Sequence, residues 1–119
     1  MINRSISGIR GLADSDLSRE FIKSAASGAH QLLNPGVIFV GRDPRPSGSD
    51  ISDYFIQTLL SFGRDVIEVG IAPTPTIQFM TASTDAAGGI VVTASHNPSE
   101  WNGLKFITKD GTFFDSELC

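Results

Sequence analysis

The sequence predicts a three-layer α/β/α domain with a mixed, mostly parallel sheet of four to five strands. Short apolar runs of strand length alternate along the chain with segments of helical periodicity, which is the pattern of a sheet covered by helices on both faces. The run Val37-Ile38-Phe39-Val40 is continuously apolar, as buried strands are. The last connection, from Ala94 to Gly103, is short, so we expect the final strand to run antiparallel.

The first third of the chain predicts a strand, a helix and a second strand. Ser5-Ile6-Ser7-Gly8-Ile9-Arg10-Gly11 is typical of a short strand that runs into a glycine turn. A helix is expected to begin near Ser18, whose side chain can cap free backbone N–H groups, and to end at Asn34-Pro35-Gly36. Its apolar face comprises Leu17, Phe21, Ala25, Ala29 and Leu32.

Two further helices are predicted in the middle of the chain. The first begins near Asp50 and carries the clearest 3.6-residue period of the sequence. Its apolar side comprises Ile51, Tyr54, Phe55, Thr58, Leu59 and Phe62. After the strand Val66-Ile67-Glu68-Val69, a short helix opens at Pro73-Thr74-Pro75, where the threonine can cap and the second proline fits the first helical position.

The last two predicted strands are Ile90-Val91-Val92-Thr93 and Leu104-Lys105-Phe106-Ile107-Thr108. Polar loops leave four of the predicted strands, after Ile9, Val40, Val69 and Thr93. The carboxyl ends of parallel strands meet at one edge of a sheet, and ligands of such sheets gather there. We therefore expect the functional residues at this edge.

Composition and charge limit the classes of function. The 119 residues, of which 40% are apolar, fit one domain with its own core. No stretch approaches the ~18 consecutive apolar residues that a membrane helix requires, and no secretory signal follows Met1. The single cysteine, Cys119, cannot form an internal disulfide. We expect a cytoplasmic protein with no membrane partner, and the net charge of −4 argues against nucleic acid.

The loop Thr93-Ala94-Ser95-His96-Asn97-Pro98 carries the strongest functional signal. It follows a buried strand directly, so we expect Ser95 to be exposed yet held in place, and Pro98 to stiffen the loop. His96 and Asn97 can offer hydrogen bonds to oxygens attached to the serine. An ordinary Ser-Asn-Pro turn has the same local composition. A serine hydrolase fits badly, because a base histidine rarely lies next to its serine in sequence and the G-x-S-x-G elbow is absent.

Two basic residues are candidates for binding an anion. Arg10 lies between Gly8 and Gly11, where the backbone can approach a ligand and the guanidinium can bind phosphate oxygens in a fork. Lys105 is predicted at the start of the last strand, from where its ammonium could reach Ser95, stabilise a phosphate or shuttle a proton. Taken alone, Lys105 is more typical of a solvated strand lysine, and Arg10 is a weak signal that also fits a surface arginine in a turn.

The segment Gly41-Arg42-Asp43-Pro44-Arg45-Pro46-Ser47-Gly48 is charged and contains two prolines. It lacks the lysine of a G-x-x-x-x-G-K phosphate loop. We expect a structural role in which Asp43 pairs with Arg42 or Arg45, and in which Ser47 or Ser49 caps the following helix. No Asp-x-Asp cluster occurs, so we expect no metal site formed by this chain alone.

Four segments, in this order, resemble the α-D-phosphohexomutase family, which includes phosphoglucomutase/phosphomannomutase and phosphoglucosamine mutase. They are Gly8-Ile9-Arg10-Gly11, Gly41-Arg42-Asp43-x-Arg45-x-Ser47, Thr93-Ala94-Ser95-His96-Asn97-Pro98 and Asn102-Gly103-x-Lys105. The T-A-S-H-N-P segment is highly specific, and the resemblance spans essentially the whole chain. The Ser-Gly-Ile-Arg-Gly form around Ser7 resembles the phosphoglucosamine branch more closely.

The resemblance implies that Ser95 is a phosphoserine that gives its phosphoryl group to a hexose phosphate. A hexose bisphosphate forms, turns round and returns its other phosphoryl group, so that 1-phosphate and 6-phosphate isomers exchange. The implied catalytic residues are Ser95, His96, Lys105 and Arg10. The implied phosphate-binding residues are Arg10, Asn97, Asn102 and Lys105. Mg²⁺ is implied at the Ser95 phosphate, with a hexose bisphosphate as activator.

Family members have four domains, and the resemblance implies that residues 1–119 are the first. The metal loop, the sugar-selecting loop and a further phosphate-binding loop then belong to the other three domains. We therefore expect the 119-residue chain to be inactive alone and to work with hexose phosphates and the remaining domains. The alternative is a non-catalytic phosphosugar-binding module that has kept the fold.

Overall fold

The structure is a computed structural model that describes residues 3–5, 8–12, 17–94 and 100–113, with the backbone alone for residues 3–5, 8–10, 12 and 101. In this part of the chain six strands and three helices follow one another. They are β1 (Asn3–Ser5), β2 (Gly8–Leu12), α1 (Arg19–Leu32), β3 (Ile38–Arg42), α2 (Gly48–Ser61), β4 (Val66–Ile71), α3 (Thr74–Ala82), β5 (Gly88–Val92) and β6 (Trp101–Thr108).

The strands form one mixed sheet in the order β1-β2-β6-β5-β3-β4. Strand β3 pairs in parallel with β4 and β5, whereas β6 is antiparallel to β5 and β2, and β1 is antiparallel to β2. Strands β2, β3, β4 and β5 therefore point the same way, which confirms the mixed, mostly parallel sheet and the antiparallel last strand. The sheet has one strand more than predicted, because Asn3–Ser5 folds back on β2 as a hairpin too short to leave a sequence pattern.

Helices cover both faces of the sheet, which confirms the three-layer α/β/α architecture. Helices α1 and α2 pack together on one face, over a core that includes Ile22, Phe55 and Leu104. Helix α3 covers the other face, where Ile77 packs with Val91 in a smaller core. Within the described residues, no helix has the length and apolar character needed to cross a membrane.

Local chemistry explains where the helices begin. The Ser18 hydroxyl accepts a hydrogen bond from the Phe21 N–H at 3.1 Å, so the predicted cap of α1 is confirmed. Helix α2 begins at Gly48, slightly earlier than predicted. At α3 the cap position is Pro73 rather than Thr74, and no side chain bonds to the free N–H groups there. The prediction of a threonine cap was therefore wrong by one residue.

The predicted apolar faces needed some correction at the helix ends. The buried side of α1 centres on Ile22, Ala26 and Ala29, and Leu32 is 55% exposed. Phe62, just after α2, is also largely exposed and stacks on His30 with 4.8 Å between ring centroids. Terminal residues of an amphipathic helix extend beyond the sheet, so periodicity alone overstates their burial.

Strand direction brings several loops to one edge of the sheet. Since β2, β3, β4 and β5 are parallel to one another, their carboxyl ends meet there, and antiparallel β6 begins at the same edge. This is the edge at which ligands of open α/β sheets bind. The predicted gathering is confirmed for the chains that leave β3 and β4. The loop predicted after Ile9 was placed too early, because β2 continues to Leu12, and residues 13–16 and 95–99 lie outside the described residues.

Candidate functional site

The candidate site begins where β5 ends. Val92 is fully buried, and Thr93 and Ala94 after it are 5% and 0% exposed. The next three residues, Ser95, His96 and Asn97, lie outside the described residues, so the roles predicted for them stay predictions. The described structure instead shows the hydrogen bonds made by the residues before and after residues 95–99.

Thr93 fixes the end of β5 through both its backbone and its side chain. Its N–H donates to the Gly103 carbonyl of β6 at 2.9 Å, which extends the antiparallel ladder beyond the strand. Its hydroxyl donates to Oδ2 of Asp43 at 2.6 Å, across 50 residues of sequence. The residues just before Ser95 are thus bonded to two different neighbours.

Asp43 lies in the loop that follows β3, and it is held from three directions. Its N–H donates to the Val92 carbonyl at 3.1 Å. Its Oδ2 pairs with Nε of Arg45 at 2.9 Å, and its Oδ1 accepts from the Arg45 N–H at 3.2 Å. The predicted pairing of Asp43 with one of its neighbouring arginines is confirmed, and the partner is Arg45. The carboxylate therefore connects Arg45 to Thr93.

Asn102 is fully buried at the start of β6, and both ends of its amide are used inside the protein. Its Nδ2 donates to Oγ of Ser47 at 2.8 Å, and its Oδ1 accepts from the Gly103 N–H at 2.9 Å. This geometry favours holding the strand in place, and the predicted contact with phosphate stays a prediction. Ser47 lies at the cap position of α2 in a helical conformation and makes no side-chain cap, so its predicted capping role was wrong.

The structure places the two predicted basic residues on adjacent strands. Arg10 lies in β2 with its backbone opposite Gly103, and its side chain lies outside the description. Lys105 lies opposite Val91 in the middle of β6, rather than at a strand start, because β6 already begins at Trp101. Its side chain is partly buried, and Nζ lies 5.4 Å from the centre of the Phe113 ring. The expected contact of Arg10 and Lys105 with Ser95 stays a prediction.

A cavity lined by described residues lies at the opposite edge of the sheet. Its volume is about 320 Å³, and His30, Phe62 and Arg64 are among its lining residues. The guanidinium of Arg64 uses its donors within the protein, on His30 and on four backbone carbonyls. This cavity therefore offers no cation for an anionic ligand, and the loop edge remains the candidate site.

The hydrogen bond between Thr93 and Asp43 was missed by sequence reasoning. Neither residue type is unusual after a strand, and no local spacing connects residues so far apart in the chain. The one usable signal was topological, since both residues directly follow neighbouring parallel strands, β5 and β3. Among the described residues every buried side-chain nitrogen or oxygen has a partner, so this polar cluster is fully satisfied.

Known proteins resemble the chain over nearly its whole length. The family model described as phosphoglucomutase/phosphomannomutase, alpha/beta/alpha domain I, matches residues 3–118. A phosphoglucomutase/phosphomannomutase of Thermococcus kodakarensis is 46% identical over 109 residues, which cover 87% of this chain and 24% of that protein. A phosphoglucosamine mutase of Rhodococcus opacus is 42% identical over 117 residues, which cover 93% of this chain and 26% of that protein.

A solved structure shows the same fold. The crystal structure of a phosphoglucomutase/phosphomannomutase family protein from Burkholderia thailandensis matches with a TM-score of 0.81 and 28% identity, covering 99% of this chain and 29% of that one. The chain spans about a quarter of the length of the curated relatives it matches. With a family model that matches residues 3–118 and relatives at 46% and 42% identity, the chain belongs to the phosphoglucomutase/phosphomannomutase family, of which it contains α/β/α domain I.

Proposed function

We propose that this chain is the phosphoryl-carrying domain of a hexose-phosphate mutase, with Ser95 as the phosphorylated residue. The observation that supports the proposal best is the anchoring of the chain just before Ser95. Thr93 is bonded to β6 and to Asp43, and Ala94 is completely buried. Phosphoryl transfer requires accurate positioning and charge neutralisation more than covalent chemistry by the protein. The hydrogen bonds of Thr93 and the burial of Ala94 support accurate positioning, because these residues directly precede Ser95.

The proposed reaction consists of two phosphoryl transfers. In the first, the P–O bond to Ser95 breaks and a P–O bond forms to a free hydroxyl of the hexose phosphate, whose proton passes to a base. The hexose bisphosphate then turns round and returns its other phosphoryl group to Ser95, so the hexose phosphate leaves as its isomer. For this chain we propose Arg10, Asn97 and Lys105 as phosphate-binding groups, with Lys105 or His96 as the group that moves the proton.

Magnesium is part of the proposal only through the phosphate of Ser95. Among the described residues no group of three or more His, Cys, Asp or Glu side chains is placed to hold a metal ion. Bound Mg²⁺ would neutralise charge on the phosphoryl oxygens, with its protein ligands supplied from elsewhere. We further propose that residues 1–119 are the first of four domains, as the roughly fourfold greater length of the relatives supports.

The relatives at 46% and 42% identity carry names that cover glucose, mannose and glucosamine phosphates. The preferred sugar of this protein therefore has to be determined by experiment. The test is a coupled mutase assay on the full-length protein with Mg²⁺ and a hexose 1,6-bisphosphate. Its substrates are the 1-phosphates of glucose, mannose and glucosamine, and its control variant is Ser95→Ala.

Turnover that is lost in the Ser95→Ala protein supports the proposal, and the preferred sugar identifies the branch. Turnover indifferent to Ser95 would refute the phosphoserine assignment. Binding of hexose phosphates without turnover, and without phosphorylation of Ser95, would favour the alternative of a non-catalytic binding module. The 119-residue chain assayed alone is expected to show no turnover, and measurable activity would contradict the division of the site among domains.

A further inference from the structure

We infer that Thr93 and Asp43 are positioning residues for Ser95, because their hydrogen bond fixes the backbone immediately before it. The inference rests on the proposed function and assigns part of the placement of the phosphoryl group to the loop after β3. Neither side chain needs to touch the substrate in this role. Each acts through the chain that connects Thr93 to Ser95.

The bond itself has the properties of a strong and directed contact. At 2.6 Å, the distance from Oγ1 of Thr93 to Oδ2 of Asp43 lies in the range of charge-assisted O–H···O⁻ bonds. Thr93 is only 5% exposed, so little water competes for its hydroxyl. Arg45 holds the same carboxylate by two contacts, which prevents Asp43 from adopting another orientation without breaking an ion pair.

The chain that follows residues 95–99 is also bonded to the chain between β3 and α2. Asn102, at the start of β6, donates to Ser47 at 2.8 Å, and Ser47 follows Asp43 closely in the chain between β3 and α2. Thr93, which precedes residues 95–99, and Asn102, which follows them, are therefore both bonded to the chain between β3 and α2.

Such anchoring matters because phosphoryl transfer is sensitive to small displacements. A misplacement of about 1 Å at a reacting atom can lower the rate by ~10²-fold without any loss of a substrate contact. Loss of the Thr93–Asp43 bond is therefore expected to lower kcat and leave KM nearly unchanged. A purely structural role predicts instead a less stable protein with normal kinetics in its folded fraction.

The experiment compares Thr93→Val with Thr93→Ser in the full-length protein. Valine removes the hydroxyl at nearly constant volume, whereas serine keeps it. The matched control is Thr81→Val in α3, because Thr81 is 0% exposed and its hydroxyl also makes one short bond, to the Ile77 carbonyl at 2.7 Å. The measurements are kcat and KM, the single-turnover transfer from a hexose 1,6-bisphosphate to Ser95, and the urea midpoint of each variant.

We expect Thr93→Val to lower both kcat and the single-turnover rate by about 10- to 100-fold, with KM within about threefold of the parent value. Thr93→Ser should recover most of this loss, and Thr81→Val should leave the rates unchanged. Asp43→Ala removes the same bond from its other end, because it deletes the carboxylate that accepts from the Thr93 hydroxyl, at a side chain that is 24% exposed. In the double variant the two effects should be less than additive, as for residues that act through one contact.

The outcomes separate this inference from the function on which it rests. If the parent protein turns over and Ser95→Ala does not, but Thr93→Val behaves like Thr81→Val, the positioning role is refuted and the proposed function stands. If the parent protein shows no Ser95-dependent transfer, both fail together. If Thr93→Val does not fold, Asp43→Ala decides, and a normal single-turnover rate in that variant overturns the inference.

Discussion

Removal of the Arg64 side chain is expected to cost this domain a large part of its stability. Arg64 is only 6% exposed, and its guanidinium closes the carboxyl end of α1. Nε donates to Nδ1 of His30 at 3.1 Å, and the two terminal nitrogens donate to four backbone carbonyls. These belong to His30, Leu33, Asn34 and Gly36, at distances of 2.6 to 3.3 Å. All five N–H groups of the guanidinium are thus used.

The expected loss of stability follows from the number of hydrogen-bond acceptors that Arg64→Met would leave without a donor. Methionine keeps most of the apolar stem, so the loss is mainly that of the hydrogen bonds. A buried acceptor without a partner costs about 1–3 kcal/mol, but water from the adjacent cavity can reach some of the carbonyls. Counting two or three acceptors as unsatisfied, at about 1.5 kcal/mol each, gives about 3–5 kcal/mol, against a total stability of ~5–15 kcal/mol for a domain.

Burial also lowers the pKa of the Arg64 guanidinium from its ordinary value, because the charged form loses hydration. Arginine nevertheless stays protonated at neutral pH, so all the donors remain available. The charge state of Arg64 itself therefore adds no pH dependence to the expected cost near neutrality. Arg64→Lys should give an intermediate loss, since an ammonium has three donors in place of five.

The assay is urea unfolding of the 119-residue chain, followed by circular dichroism, with Arg19→Met as the matched control. Arg19 is exposed and lies 5.6 Å from the centre of the Tyr54 ring, so its loss should cost no more than about 1 kcal/mol. The reasoning is refuted if Arg64→Met and Arg19→Met differ by less than about 1 kcal/mol at equal m values, because the buried bonds would then contribute nothing net.

Substitutions at three further positions test local features by the same unfolding measurement. Gly28→Ala, inside α1 with nothing within 4 Å of the new methyl group, should stabilise the chain by about 0.5–1 kcal/mol, and a loss would indicate hidden crowding. Gly88→Ala should destabilise it by about 1–3 kcal/mol, because the methyl group would lie 2.8 Å from the Ile107 carbonyl oxygen; an unchanged urea midpoint would contradict this close approach. Ser18→Ala should cost about 1 kcal/mol through the lost cap on Phe21, whereas Ser18→Gly should cost only a few tenths.

Much of the fold could be predicted from the sequence because strong local signals agree with the tertiary structure. Residues 38–40 of the continuous apolar run lie in β3, and Ser18 caps α1 as its position indicates. The short connection before β6 correctly predicted an antiparallel strand. Hairpin β1–β2 was missed, since a three-residue strand shows no periodicity.

Long-range polar contacts, both at the candidate site and at the opposite edge of the sheet, were much harder to predict. Asp43 was expected to shape its own loop, which it does by pairing with Arg45, but its bond to Thr93 depends on which strands are neighbours. Arg64 directly follows a glycine turn, where a solvated residue would be the ordinary interpretation, and yet it is nearly buried. Both cases are long-range polar contacts, which local spacing does not encode.

The direction of β6 gives the Ser95 loop an attachment that differs from that of the other loops at this edge. The chains leaving β3 and β4 lead into helices α2 and α3, whereas the chain leaving β5 returns to a strand paired with β5 itself. Because Thr93 is bonded to Gly103 of that returning strand, its position depends on the sheet and on the loop bearing Asp43. Perturbations within α3 should therefore change stability without displacing Thr93. Perturbations of the loop after β3 should displace Thr93, because that loop carries Asp43. Because both bonds lie outside the helices, alterations of the surrounding helices should leave the position of Thr93 at this sheet edge unchanged.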